Sequence, residues 1–319
     1  MRDVFRLWPP ELDVLAAENA TLAQRITHDF VGDDVAPEGC SDRELLEHQR
    51  ASMLRMVEPH PDGRDAEIAG RPCRVFAPIG GAQGVVLHFH GGGMAMGTPE
   101  MNDHDNAALS ARLRVAVVSV GYRLAPEHPY PAAIDDAVAV AAELQRGAAS
   151  RFGTSRLVIA GESAGATVAI GCLLRMRDAD GIAAGWAGAV LTFGMYDWGT
   201  GPSRRGIRAS DAEDTLDPES LTRFADWYLP GRTEAERRDP EVSPASADLR
   251  GLPPTFMTVG TADHLLDDTL VLAARSTAAG NEVELLVMPD APHGFIAADC
   301  AATDLYRRRL DAFVTRCLR

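Results

Sequence analysis

Gly161-Glu162-Ser163-Ala164-Gly165 is a G-x-S-x-G pattern set between an apolar run, Leu157–Ala160, and a helix-forming stretch, Ala164–Arg177. Between a strand and a helix this pattern makes a nucleophile elbow. Glycine at both ends lets the two backbones pass where a Cβ would not fit. The Ser163 hydroxyl is then lifted clear, above a helix N-terminus that favours developing negative charge. The chemistry on offer is acyl transfer through a covalent serine ester. Taken alone the pattern recurs by chance, and the flanking strand and helix are what give it weight.

A serine hydroxyl is a poor nucleophile at neutral pH, so it needs a base, and the base needs an orienting acid. In this arrangement the chain order is Ser, acid, His. Two histidines follow Ser163, His264 and His293. His293, in the loop Pro292-His293-Gly294-Phe295 after the last predicted strand, is the candidate base. Asp263 falls at the C-terminal end of another predicted strand, where sites of open α/β sheets lie. Asp197, also after a strand end, is the alternative acid. Asp267 and Asp268 read as first-turn helix residues.

A tetrahedral intermediate also needs N–H donors aimed at its oxyanion; losing one typically costs about 10²–10³ in turnover. His90-Gly91-Gly92-Gly93 follows an early strand and can turn its amides toward the site. Gly92 and Gly93 are the main candidates, with Gly91 close behind, and Ala164 supplies a further N–H. His90 reads as an organiser of the loop rather than a proton carrier. The plainer alternatives are a turn histidine at 293 and a flexible glycine loop at 91–93.

The elements that must position these residues alternate along the chain. Strands are predicted at Val85–Phe89, Val115–Val120, Leu157–Ala160, within Trp186–Phe193, at Thr255–Val259 and at Val283–Met288. Helices are predicted at Ala132–Leu144, Ala164–Arg177, Leu266–Ala279 and Ala301–Cys317. Alternation of this kind implies βαβ units and a mostly parallel sheet. The near-continuous apolar runs suit strands buried on both faces. Arg71–Ala77 is expected to add an antiparallel strand at the start of the sheet. Residues 1–55 and 199–249 are charged and carry no strand signal. They read as two parts of a helical cap, with 56–198 and 250–319 as the two parts of the core; surface decoration is the plainer reading.

The 319 residues suffice for one large α/β domain. A formal net charge of −15 disfavours nucleic acid and anionic membranes as partners. Five scattered cysteines without a CxxC pair argue against a disulfide framework and against a zinc site. Met1–Asn19 lacks the apolar run of a secretory signal, and no stretch is long enough to span a bilayer, so a cytoplasmic location is expected.

The sequence resembles the hormone-sensitive-lipase family of α/β-hydrolase carboxylesterases, in its bacterial branch. The matching residues are His90–Gly93 with Gly97, the run Tyr122–Ala133 (YRLAPEHPYPAA), Gly161–Gly165, Val242-Ser243-Pro244, Leu252–Thr255, Gly260–Asp263 with Asp267, and His293-Gly294-Phe295. The resemblance covers about residues 70 to 300. It implies an α/β-hydrolase fold with a helical cap, and a triad of Ser163, Asp263 and His293, which decides for Asp263 over Asp197. It implies an oxyanion hole from Gly91, Gly92, Gly93 and Ala164, no metal and no cofactor. A lid of modest size encloses a limited pocket, so the expected substrate is a small carboxylic ester of short to medium acyl chain, with lactones as internal esters. Family members often dimerise, so a homodimer is a further implication. Three departures bear on pocket shape: Gly121 and Glu162 stand where Asp is common, and Gly194–Asp197 (GMYD) replaces a Pro-containing run. Two competing readings are a hormone-receptor-like binding protein and an amide hydrolase. The intact Ser163, Asp263 and His293 speak against the first. An Asp would be expected at position 163 in a dehalogenase or epoxide hydrolase.

Overall fold

The computed structural model describes residues 6–30, 39–180, 185–199, 201 and 216–319, apart from the side chains of 27–30 and 180. Strands β1 (Arg64–Ile68), β2 (Arg71–Phe76), β3 (Val85–Phe89), β4 (Ala116–Val120), β5 (Leu157–Glu162), β6 (Trp186–Thr192), β7 (Thr255–Gly260) and β8 (Val283–Met288) form one sheet. Its order is β1-β2-β4-β3-β5-β6-β7-β8. β1 and β2 join antiparallel, and β3 to β8 run parallel to β4. The sequence-predicted strands all fall in this sheet, Arg71–Phe76 antiparallel as expected. The fold is that of an α/β hydrolase.

Helices cover both faces, which is why β3 and β4 are buried at every residue. Alternate side chains of one strand serve opposite layers. Val85, Leu87 and Phe89 pack with helices α5 (Ala132–Phe152) and α6 (Ala164–Asp180). Val86 faces the other layer, with Phe313 and Val314 of helix α10 (Ala301–Cys317) and with Leu109 of α4 (Asp103–Leu113). Helix α9 (Leu266–Ala278) follows the loop that carries Asp263.

Three elements differ from the sequence reading. α5 continues to Phe152, two turns past the expected end, because its alanines keep burying one stripe; Gly153, with φ of 80°, then stops it. β1 was not expected, since RDAEI is an edge strand with only Ile68 fully buried. α4 was not expected either. It buries Asp103, Asn106 and Ser110, so polar residues occupy its inward stripe.

The two strand-free segments are helical where they are described. Near the N-terminus lie α1 (Ala16–Asn19), α2 (Leu22–Phe30) and α3 (Asp42–Met56). Leu22 and Ile26 pack in the same cluster as Phe295, and Asn19 Nδ2 donates to the Pro289 carbonyl at 2.7 Å. α3 starts with a Ser41–Glu44 capping box, and its Arg50 binds the Ala95 and Ala125 carbonyls and the Glu127 carboxylate. The later insertion builds α7 (Pro218–Tyr228) and α8 (Glu234–Arg237). Its residues 200 and 202–215, like 1–5 and 31–38 of the earlier segment, lie outside the described residues. Among the described residues no helix is long and apolar enough to cross a membrane.

Candidate active site

The sheet register brings the ends of β3, β5 and β6 level, with Phe89 opposite Gly161 and Glu162 opposite Thr192. Ser163 follows at φ of 53°, in the left-handed region that L-residues other than Asn and Asp rarely occupy. The strain is held by hydrogen bonds on both sides: its N–H donates to the Thr192 carbonyl at 2.9 Å, and its carbonyl accepts from Ala166 at 3.0 Å. The glycines are sterically required. A Cβ on Gly161 would stand 2.3 Å from the Gly165 carbonyl, and one on Gly165 would stand 1.9 Å from the Phe89 oxygen.

His293 Nε2 lies 3.0 Å from Ser163 Oγ, and its Nδ1 lies 2.8 Å from Asp263 Oδ2. A carboxylate only accepts, so the ring proton sits on Nδ1, and Nε2 presents a lone pair to the serine hydroxyl. Asp263 is fully buried, and its Oδ1 accepts from the Leu265 amide at 2.8 Å. The acid loop and the histidine loop are fastened to each other. Thr261 N–H donates to the Met288 carbonyl, Ala262 N–H to the Ala291 carbonyl, and Asp290 N–H to Thr261 Oγ1. Gly260 allows that approach, since its Cβ would stand 1.9 Å from the Ala291 oxygen. Phe193 sets its ring against the His293 ring, with centroids 4.7 Å apart at 62°.

The other sequence candidates fall elsewhere. Asp197 Oδ1 accepts from the Gly199 amide at 2.8 Å, and its Oδ2 is 3.5 Å from Arg238. His264 is buried. Asp267 and Asp268 do open α9, but Asp268 does more. Its Oδ1 accepts the Tyr196 and Asp197 amides, each at 2.7 Å, and so shapes the loop that follows Phe193. Nothing in the sequence signals that clamp, because its partners are main-chain groups 71 and 72 residues away.

The glycine turn runs beside the elbow. A Cβ on Gly91 would lie 3.5 Å from Ser163 Cβ. Gly92 and Gly93 have φ of 111° and 62°, and the Gly92 carbonyl accepts from Ala95 and Met96 to close the turn. No backbone acceptor among the described residues takes the Gly92, Gly93 or Ala164 amide. His90 is fully buried, donates Nδ1–H to the Gly91 carbonyl at 2.7 Å and stacks on Tyr122 at 4.4 Å. Burial pushes its imidazole down to about 4, so it is neutral, as suits a loop organiser.

Helix α7 supplies a contact that sequence reasoning missed. A Cβ on Gly93 would meet the Phe224 ring at 2.5 Å, so the insertion sets an aromatic ring directly on the glycine turn. Further along, a cavity of about 880 Å³ opens beside α6, from Thr167, one turn past Ser163, to Leu174, Tyr228 and Val242. Among the described residues no group of His, Cys, Asp and Glu is gathered as a metal would need.

Residues 86–297 match the family described as having the alpha/beta hydrolase fold. A carboxylesterase of Mycobacterium tuberculosis, NlhH, is 36% identical over 236 residues, 70% of this chain and 71% of that protein. An acetyl-hydrolase of Streptomyces hygroscopicus is 35% identical over 209 residues, 65% of this chain and 67% of that protein. Among solved structures, a hormone-sensitive lipase from a metagenome library superposes with a TM-score of 0.79 at 28% identity, covering 95% of this chain and 98% of that one.

Proposed function

We propose that this chain, which belongs to the hormone-sensitive-lipase-like branch of the α/β-hydrolase family and hydrolyses carboxylic esters, does so with Ser163 as nucleophile, His293 as base and Asp263 as orienting acid. Ser163 Oγ attacks the acyl carbonyl as its proton passes to His293 Nε2. Asp263 keeps the His293 proton on Nδ1 and stabilises the imidazolium. The oxyanion is received by the amides of Gly92, Gly93 and Ala164, with Gly91 lining the same side. The alcohol leaves with the proton from Nε2. Water then attacks the acyl-enzyme by the same route and frees the acid.

The observation that carries this reading is the relay itself, 3.0 Å from Ser163 Oγ to His293 Nε2 and 2.8 Å from Nδ1 to Asp263. We take the substrates to be small esters of short to medium acyl chain, lactones included. Phe224, packed on Gly93, supports a site of limited size. The segments 1–55 and 199–249 are read as cap around a core of 56–198 and 250–319. A homodimer, which sedimentation velocity checks, and a cytoplasmic location belong to the same reading.

Ser163→Ala tests the central step. The variant is expected to lose p-nitrophenyl butyrate turnover and fluorophosphonate labelling while keeping its circular dichroism spectrum. Turnover that survives the substitution sinks the mechanism.

A further inference from the structure

Glu162 stands immediately before the nucleophile, yet the relay makes no use of it. Its carboxylate is mostly buried, and Oε2 lies 2.9 Å from Nε2 of His88 on β3. The other ring nitrogen of His88 faces the Ser119 hydroxyl at 3.0 Å and the Asn106 amide nitrogen at 3.5 Å. An amide nitrogen only donates, so Nδ1 accepts and the ring proton sits on Nε2, directed at Glu162. Glu162 Oε1 has no protein partner. Among the described residues no arginine comes within ion-pair distance of this carboxylate. It is held by the His88 ring.

That bond joins the two strands that must agree for the reaction to work. β3 leads from His88 straight into the glycine turn, and β5 leads from Glu162 into the elbow. The two strands stop pairing where Phe89 faces Gly161. Just beyond, Gly91 rests on the same residue: a Cβ there would lie 3.3 Å from the Glu162 carbonyl and 3.9 Å from Glu162 Cγ. The side chain of Glu162 therefore ties the last residue of β5 to β3 two residues before the glycine turn begins at His90.

We infer that Glu162 is a positioning residue for ester hydrolysis: by accepting from His88 it fixes the Ser163 elbow against the Gly91–Gly93 turn. It acts as a hydrogen-bond acceptor of the right length. This rests on Ser163 as the nucleophile, a reading that the Ser163→Ala experiment tests separately.

The test compares Glu162→Ala, Glu162→Gln, His88→Ala and the double alanine variant on p-nitrophenyl butyrate, with the melting temperature recorded for each. A misplacement of about 1 Å costs on the order of 10²-fold, so Glu162→Ala is expected to lower kcat by about that factor, with KM within about twofold of the parent. Glu162→Gln keeps an acceptor for His88 and is expected to recover kcat to within about tenfold of the parent. The double variant is expected to be no slower than Glu162→Ala, because both substitutions remove one bond. An unchanged kcat in Glu162→Ala, even with a lowered melting temperature, overturns the inference, and so do losses that multiply in the double variant. Should Glu162→Ala not fold, His88→Ala decides, since it leaves the elbow sequence intact: a folded His88→Ala with parental kcat overturns it equally.

Discussion

At the scale of single residues, the site depends on side chains whose protonation is fixed by what they touch. His293 holds its proton on Nδ1 because Asp263, fully buried, offers only acceptors. His90 is the opposite case: desolvation outweighs the Gly91 hydrogen bond and lowers its imidazole from the ordinary 6.5 to about 4. The unfolded chain takes up a proton at His90 as pH drops through 6.5, whereas the folded protein does so only near 4. Between those values the unfolded state holds more protons, so stability falls on acidification across that window. Urea midpoints measured from pH 7 to pH 4 are therefore expected to decline, and to decline less steeply in His90→Gln. Equal slopes in the two proteins would remove His90 from this account. Ser163, His293 and the 90–93 turn were legible in the sequence because each lies in a short local pattern. Phe193 against His293 and the Asp268 clamp were not, because their partners are distant in the chain.

At the scale of elements, glycines decide which backbones can meet. Gly93 is where helix α7 touches the glycine turn, and a side chain there would be strained by its φ of 62° and would meet the Phe224 ring. Gly93→Ala is expected to lower kcat/KM by about 10²-fold, the scale of one lost oxyanion donor. Phe224→Ala in the same chain relieves the clash but not the backbone strain, so it is expected to restore that loss only in part. A double variant as slow as Gly93→Ala would show that the ring is not what the new Cβ disturbs. Strands with continuous apolar runs could be placed from sequence, since burial on both faces leaves little choice of residue. β1 and α4 could not, since an edge strand exposes its polar residues and α4 satisfies buried polar groups through tertiary partners. Asp103 of α4, for example, binds Arg74 Nε at 2.9 Å and the His60 amide at 2.9 Å.

At the scale of the whole molecule, the start of the described chain braces the histidine loop. Asn19 is fully buried and bonds Pro289, four residues before His293, while Leu22 and Ile26 pack in the cluster that holds Phe295. Asn19→Ala leaves the buried Pro289 carbonyl without that donor, at a cost of about 1–3 kcal/mol. The expected outcome is a lower urea midpoint together with a reduced kcat, KM being little changed. A loss of stability with parental kcat would show that the brace serves the fold alone.

The sequence by itself determined the order of strands β2 to β8 and of helices α5, α6, α9 and α10, the elbow at Ser163 and the loops that carry Asp263 and His293, because apolar runs and glycine punctuation act over a few residues. Its place at a strand's C-terminal end favoured Asp263 as the acid, and a family likeness then set the alternative, Asp197, aside. Only the tertiary structure decided that Glu162 is tied to His88, that Asp268 shapes the loop after Phe193, and that Phe224 lies on Gly93. Those contacts join groups far apart along the chain, and their distances follow from how layers pack against the sheet, which no local pattern of residues encodes.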